Sequence, residues 1–135
     1  MAASTHNRLQ SLPTDYKKDK LKEIRRNTKV KGQCQVWQGC RSKSGYGKIK
    51  IKQQTDVVHR VVYFFETESE SRTREDDGQW DVSHLCHNKC CIRIDHLTYE
   101  PHAVNTQRRK CHRTCRGRRR VCVGHGDYPA CILDT

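Results

Sequence analysis

Ser83-His84-Leu85-Cys86-His87-Asn88-Lys89-Cys90-Cys91-Ile92-Arg93-Ile94-Asp95-His96-Leu97, with the run from Thr98 through Pro101 to Cys111, decides how this chain is read. Three soft-metal ligands, Cys86, Cys91 and His96, follow one another at steps of five, and His84 stands two residues before the first. Pro101 suits the first turn of a helix and no Gly or Pro follows before Gly117, so a helix is predicted over 101–110. Asn105 and Arg109 are four apart on it and face one side. A thiolate–imidazole metal site, a spare imidazole and a helix carrying an amide and an arginine are the parts of a metal-dependent nuclease. A zinc-stapled DNA-binding module without catalysis needs only the first of them.

Working outward, the composition sets bounds. At 135 residues the chain is one domain with room for arms, and only 33% of it is hydrophobic. So polar a chain buries a small core and needs staples. Nine cysteines and eight histidines supply them. The odd cysteine count, mixed with histidines at ligand spacing, favours zinc over disulfides. No apolar leader and no membrane-length run is present, so no membrane is expected as partner. A reducing intracellular compartment is expected, the nucleus in a eukaryotic cell. The formal net charge of +12 is uneven: both ends are basic, whereas 66–81 holds seven acids against two arginines. Basic flanks on a metal core mark a polyanion binder.

The expected division is a basic arm over 1–33 and a domain over 34–135. Residues 1–13 read as disordered, and a thin stripe of Tyr16, Leu21 and Ile24 gives a helix from Thr14 to about Asn27. Lys48-Ile49-Lys50-Ile51-Lys52 alternates with period two, a strand with isoleucines inward and lysines outward. Lys48, Lys50 and Lys52 are therefore candidate contacts for a DNA groove, or a solvated sheet face. Val57, Val61 and Phe65, flanked by Val58 and Val62, predict a helix at the centre of the core. The acidic stretch at about 66–81 reads as a loop, and Trp80–His84 as a strand that carries His84 in. The fold class is α+β: a small, zinc-stapled mixed fold with little regular core.

Structural zinc takes four Cys or His ligands. Cys86, Cys91 and His96 give three for a first site, and Cys34 or Cys40 the fourth. Cys111, Cys122, His125 and Cys131 assemble a second, with Cys115 competing for one place. Closed sites have no open position for water, so both zincs are expected to be structural, on the order of 10 kcal/mol of folding energy each. His84 is then available as a general base. Phosphodiester cleavage also needs a hard cation, and Asn105 could be the one protein ligand of a Mg²⁺ ion. Arg108 and Arg109 would add positive charge at the phosphate.

These residues resemble the His-Cys box of intron-encoded homing endonucleases, within the ββα-metal (His-Me finger) nucleases. Ser83-His84-Leu85-Cys86-His87-Asn88 carries the likeness, with Cys91, His96-Leu97, Glu100, Asn105 and Cys111. It is dense over 82–131 and thin over 34–62. The resemblance implies a Mg²⁺-dependent endonuclease for double-stranded DNA, with a ββα-metal motif, His84 as general base and Asn105 as Mg²⁺ ligand. It also implies two structural zincs, Cys34 completing the first site and Cys111, Cys122, His125 and Cys131 forming the second. Arg60, Lys48 and Lys50 are candidates for its phosphate-clamping residue. A homodimer is a further option. Arg93-Ile94 departs from a common Asn-Pro, and Cys90 and Cys115 are additional. The rival reading is a catalytically inactive zinc-dependent DNA-binding domain derived from such nucleases. It has no use for a base and a Mg²⁺ amide at the matching positions.

Overall fold

The computed structural model of the chain describes residues 5–67, 80–115, 122 and 124–132. Among the described residues, four α-helices and three two-stranded antiparallel sheets make a mixed α+β fold. The helices are α1 (Thr5–Gln10), α2 (Thr14–Arg26), α3 (Val58–Glu66) and α4 (His102–Cys115). The sheets pair β1 (Thr28–Lys31) with β2 (Cys34–Trp37), β3 (Lys48–Ile51) with β4 (Gln54–Val57), and β5 (Trp80–His84) with β6 (Leu97–Pro101).

The core forms around α3, as its valine stripe predicts. Val58, Val61, Val62, Phe64 and Phe65 are all buried there, and so is His59. β3 keeps its predicted alternation: Ile51 is buried, Ile49 partly so, and Lys48 and Lys50 are exposed. Its two-residue turn puts Lys52 in the left-handed region at φ 59°. Tyr16 of α2 supports that strained position: its hydroxyl accepts the Lys52 N–H at 3.1 Å, and its ring lies 4.3 Å from Nζ.

The N-terminal segment differs from the expected disordered arm. Residues 5–10 form α1, Leu9 is fully buried, and the helix packs on α3. Arg8 pairs with Asp56, and Gln10 Nε2 donates to the Thr67 carbonyl at 2.8 Å. Ile24 of α2 reaches the same core and β1 pairs with β2, so the basic segment is built into the domain. One leucine at the right place outweighs the polarity around it. Of the acidic loop, 68–79 lie outside the described residues.

The last sheet positions the site. β5 and β6 pair in register from Trp80↔Pro101 to His84↔Leu97, and α4 follows β6 directly. Pro101 therefore closes the strand instead of opening the helix, and α4 runs on to Cys115, beyond the predicted end. A strand end can hold Pro because the missing N–H costs least there. The strand–strand–helix unit, β5–β6–α4, is the ββα arrangement that the resemblance implies.

Because Leu9 is sealed into the core, Leu9→Ala should lower unfolding stability by about 2–5 kcal/mol, measured by denaturant melts of the zinc-loaded protein. An unchanged midpoint would show that α1 adds nothing to the fold.

Candidate metal centres and catalytic cleft

β2 brings the distant ligand to the first metal centre. Cys34 opens this strand, which is held on one side by β1 and on the other by the 90–92 segment. Trp37 N–H donates to the Cys90 carbonyl at 2.9 Å and Ile92 N–H to the Gln35 carbonyl at 2.7 Å. The Trp37 ring lies against Gly39 and Gly47, where an added Cβ would come within 2.3 and 2.5 Å of it. No other residue fits those two positions. At the far end, the Leu85 N–H donates to the His96 carbonyl at 2.7 Å, and His96 ends a 3₁₀ turn, Ile94–His96.

The four ligand atoms of Cys34, Cys86, Cys91 and His96 lie within 4.8 Å of one another, and all four residues are buried. His96 Nδ1 is 3.8 Å from Cys34 Sγ and 3.6 Å from Cys91 Sγ. Tetrahedral zinc with bonds of about 2.0–2.3 Å requires ligand atoms roughly 3.5–3.8 Å apart. The acid–base chemistry points the same way. A hydrogen bond from the Cys86 thiol pulls Cys91 down to about 5, against its burial. That same bond, then burial, pushes Cys86 up; burial first and Cys91 second raise Cys34. One thiolate is stable in the cage, and three need a cation. Between the candidates for the fourth ligand, Cys34 is in the cage and Cys40 is exposed outside it.

A second set, Cys111, Cys122, His125 and Cys131, also has its ligand atoms within 4.8 Å. Cys122 and Cys131 Sγ each lie 3.4 Å from His125 Nε2. Cys122 suffices without Cys115, whose side chain is outside the described residues. Two Cys₃His sites thus fit two structural zinc ions.

Arg108 has a different place from the DNA contact that its position beside Arg109 suggests. It is 1% exposed, and its guanidinium forks onto Glu100, itself fully buried, with two bonds of 2.7 Å. Its Nη1 also donates to Cys131 Sγ at 3.3 Å. Burial alone would lower the Arg108 pKa; the Glu100 hydrogen bonds outweigh it and hold the pKa above its ordinary value. This fork fixes α4 on β6 and ties both to the second metal centre. Removing one partner would strand a buried charge, a cost of about 3–5 kcal/mol.

A cleft of about 470 Å³ is lined by Ser44, Tyr46, His84, His87, Lys89, Asn105, Arg108 and Arg109. It brings together the predicted His84, Asn105 and Arg109. Lys48, Lys50, Lys52 and Arg60 are not part of its lining.

His84 ends β5, and its Nε2 is 2.9 Å from the Cys91 carbonyl. A carbonyl only accepts, so Nε2 carries the proton and Nδ1 keeps the lone pair. Burial lowers its pKa to about 4, offset in part by that hydrogen bond. The imidazole is therefore neutral, and lies further from its ordinary value near 6.5 than an exposed histidine would. His59 packs beside it with ring centroids 4.0 Å apart, and Tyr46 stacks nearby at 6.2 Å. His59 is anchored by Nε2 on the Val82 carbonyl at 2.8 Å, and burial holds its pKa well below the usual range.

Asn105, in the second turn of α4, donates its Nδ2 to Asp81 Oδ2 at 3.0 Å. Its Oδ1, a hard acceptor, is thereby turned away from that carboxylate. Tyr46, Lys89, His59 and Asp81 join the site without a signal of their own in ligand spacing. Tyr46 lies between Gly45 and Gly47, and Lys89 inside the metal loop; those neighbours were the available hints.

A family model for the zinc-binding loop region of homing endonuclease matches residues 18–135. The chain belongs to that family. No curated protein and no solved structure matches it. Membership in the homing endonuclease zinc-binding-loop family confirms the His-Cys box resemblance, and gives the chain a nuclease-like or DNA-binding role. The match starts inside α2, upstream of the segment where the motifs are dense. No helix among the described residues is long and apolar enough to cross a membrane.

Metal analysis of the purified protein should find two zinc ions per chain. Cys34→Ser should lose one of them and Cys40→Ser neither; equal loss in both variants would contradict the Cys34 cage.

Proposed function

We propose that the chain is a Mg²⁺-dependent endonuclease cleaving double-stranded DNA, with His84 as general base and Asn105 as the Mg²⁺ ligand. The observation that carries this reading is the shared cleft: a neutral imidazole, His84, and an amide, Asn105, line it together, and neither belongs to a Cys₃His set. A zinc-stabilised DNA-binding domain has no need of that pair.

The donor set suits the ion. Mg²⁺ prefers hard oxygens, retains several waters and is content with one or two protein ligands, which Asn105 Oδ1 can supply in an open cleft. When bound, Mg²⁺ neutralises charge on the scissile phosphate and on the leaving oxygen. His84 takes a proton from the attacking water at Nδ1 as the new P–O bond forms and the ester P–O bond breaks. The Cys91 carbonyl holds the Nε2 proton throughout, so the imidazole keeps the productive tautomer. Arg109 and Lys89 supply positive charge beside the phosphate. Lys48 and Lys50, exposed on β3, would contact the duplex outside the cleft. The net charge of +12 supports a polyanionic partner. A homodimer, acting on both strands, is compatible with this scheme.

The zinc-loaded protein should nick or linearise supercoiled plasmid in Mg²⁺ and not in EDTA. His84→Ala and Asn105→Ala should each lose roughly 10²–10⁴-fold in rate while keeping two zincs and their duplex affinity. Parental cleavage by both variants would return these residues to a purely structural role.

A further inference from the structure

Asp81 is hydrogen-bonded to Asn105, which lines the cleft, and its surroundings are specific. It sits opposite Glu100 in the β5–β6 pair, and Glu100 is two residues before α4 begins at His102. Its Oδ2 receives two hydrogen bonds from that helix, from His102 Nδ1 at 2.6 Å and from Asn105 Nδ2 at 3.0 Å. His102 and Asn105 are three residues apart, so they stand on one face of α4. The Asp81 side chain is 25% exposed, and that of His102 56%.

An asparagine amide is nearly symmetric in shape. Either end could turn into the cleft, and only the oxygen end can ligate a hard cation. A carboxylate resolves this ambiguity because it only accepts: it draws in Nδ2 and repels Oδ1. The helix itself cannot drift, because Arg108, one turn beyond Asn105, is forked onto buried Glu100.

We propose that Asp81 is a positioning residue that locks the Asn105 amide with its oxygen toward the cleft, presetting it for a divalent cation. The role rests on the nuclease reading and adds a residue to it. His102 shares the same carboxylate oxygen and holds Asp81 over the first turn of α4. Asp81 need not touch the ion: its effect passes through the hydrogen bond to Nδ2. An outer partner of a metal ligand of this kind typically controls affinity by roughly 10–100-fold.

Asp81→Ala and Asp81→Asn separate this role from its alternatives. Asparagine at this position can still accept the Asn105 N–H through its own amide oxygen, which the second donor, His102 Nδ1, draws to the same side; alanine cannot. In the zinc-loaded protein, Asp81→Ala should raise the Mg²⁺ concentration for half-maximal plasmid cleavage by roughly 10–100-fold, with duplex affinity in EDTA unchanged. Asp81→Asn should restore it to near the parental value. Independently of cleavage, side-chain amide NMR should show one Asn105 Nδ2 proton shifted downfield and protected from exchange in the parent and in Asp81→Asn, but not in Asp81→Ala. An unchanged Mg²⁺ requirement in Asp81→Ala overturns the proposal. So does an Asp81→Asn protein as impaired as Asp81→Ala, which would make the carboxylate itself the ligand. An Asn105 proton still protected in Asp81→Ala overturns the positioning role directly. Parental cleavage by Asn105→Ala, in contrast, defeats the nuclease reading beneath it.

Discussion

Three thiols and one imidazole buried within 4.8 Å of one another form a constraint that the rest of the domain accommodates. Cys34 and His96 are 62 residues apart in sequence, so the cage closes a loop that contains β3, β4, α3 and β5. In a chain with so small a core, that closure stands in for apolar area. It also reaches the cleft through one atom. The carbonyl of Cys91, a cage residue, takes the His84 Nε2 proton and so decides which imidazole nitrogen is basic. Zinc chemistry and acid–base chemistry are joined there without sharing a ligand.

The other half of the cleft depends on a buried ion pair. Glu100 on β6 and Arg108 on α4 are almost fully enclosed, and Arg108 extends to Cys131 of the second metal centre. Both centres thus hold the ββα unit, one through His84 and the other through Arg108. The first sets the end of β5, which carries His84; the second sets the rotation of α4, which carries Asn105. A buried pair of this kind contributes little net stability against an apolar substitute. Its value here is positional: it fixes which residues of α4 face the strands and which face the cleft.

Much of this was legible in the chain. Steps of five from Cys86 to Cys91 to His96 gave the metal loop, and His84 just before it stood out as the candidate base, because those relations are local. Alternation in β3 and the valine stripe of α3 were readable for the same reason. What escaped the reading was long-range. Cys34 and Cys40 are equivalent by spacing, and only the docking of β2 on residues 90–92 separates them. Arg108 and Arg109 are neighbours of one type, yet about 100° of helix turn separates them, and only Arg108 is forked onto buried Glu100. Asp81 gains its role from a strand register that no single segment displays. Leu9 was hidden by the polar residues around it, and its burial becomes visible only in the packing of α1 on α3.

The central claim is that the zincs hold the site while the cleft does the chemistry. Exchange of both zincs for cadmium tests it most directly, since cadmium accepts the same thiolate and imidazole donors but differs as a Lewis acid. The exchanged protein, folded and assayed on supercoiled plasmid, should still require added Mg²⁺ and cleave within a few-fold of the zinc form. A folded cadmium protein that is inert in Mg²⁺, or one that cuts with no Mg²⁺ at all, would contradict it.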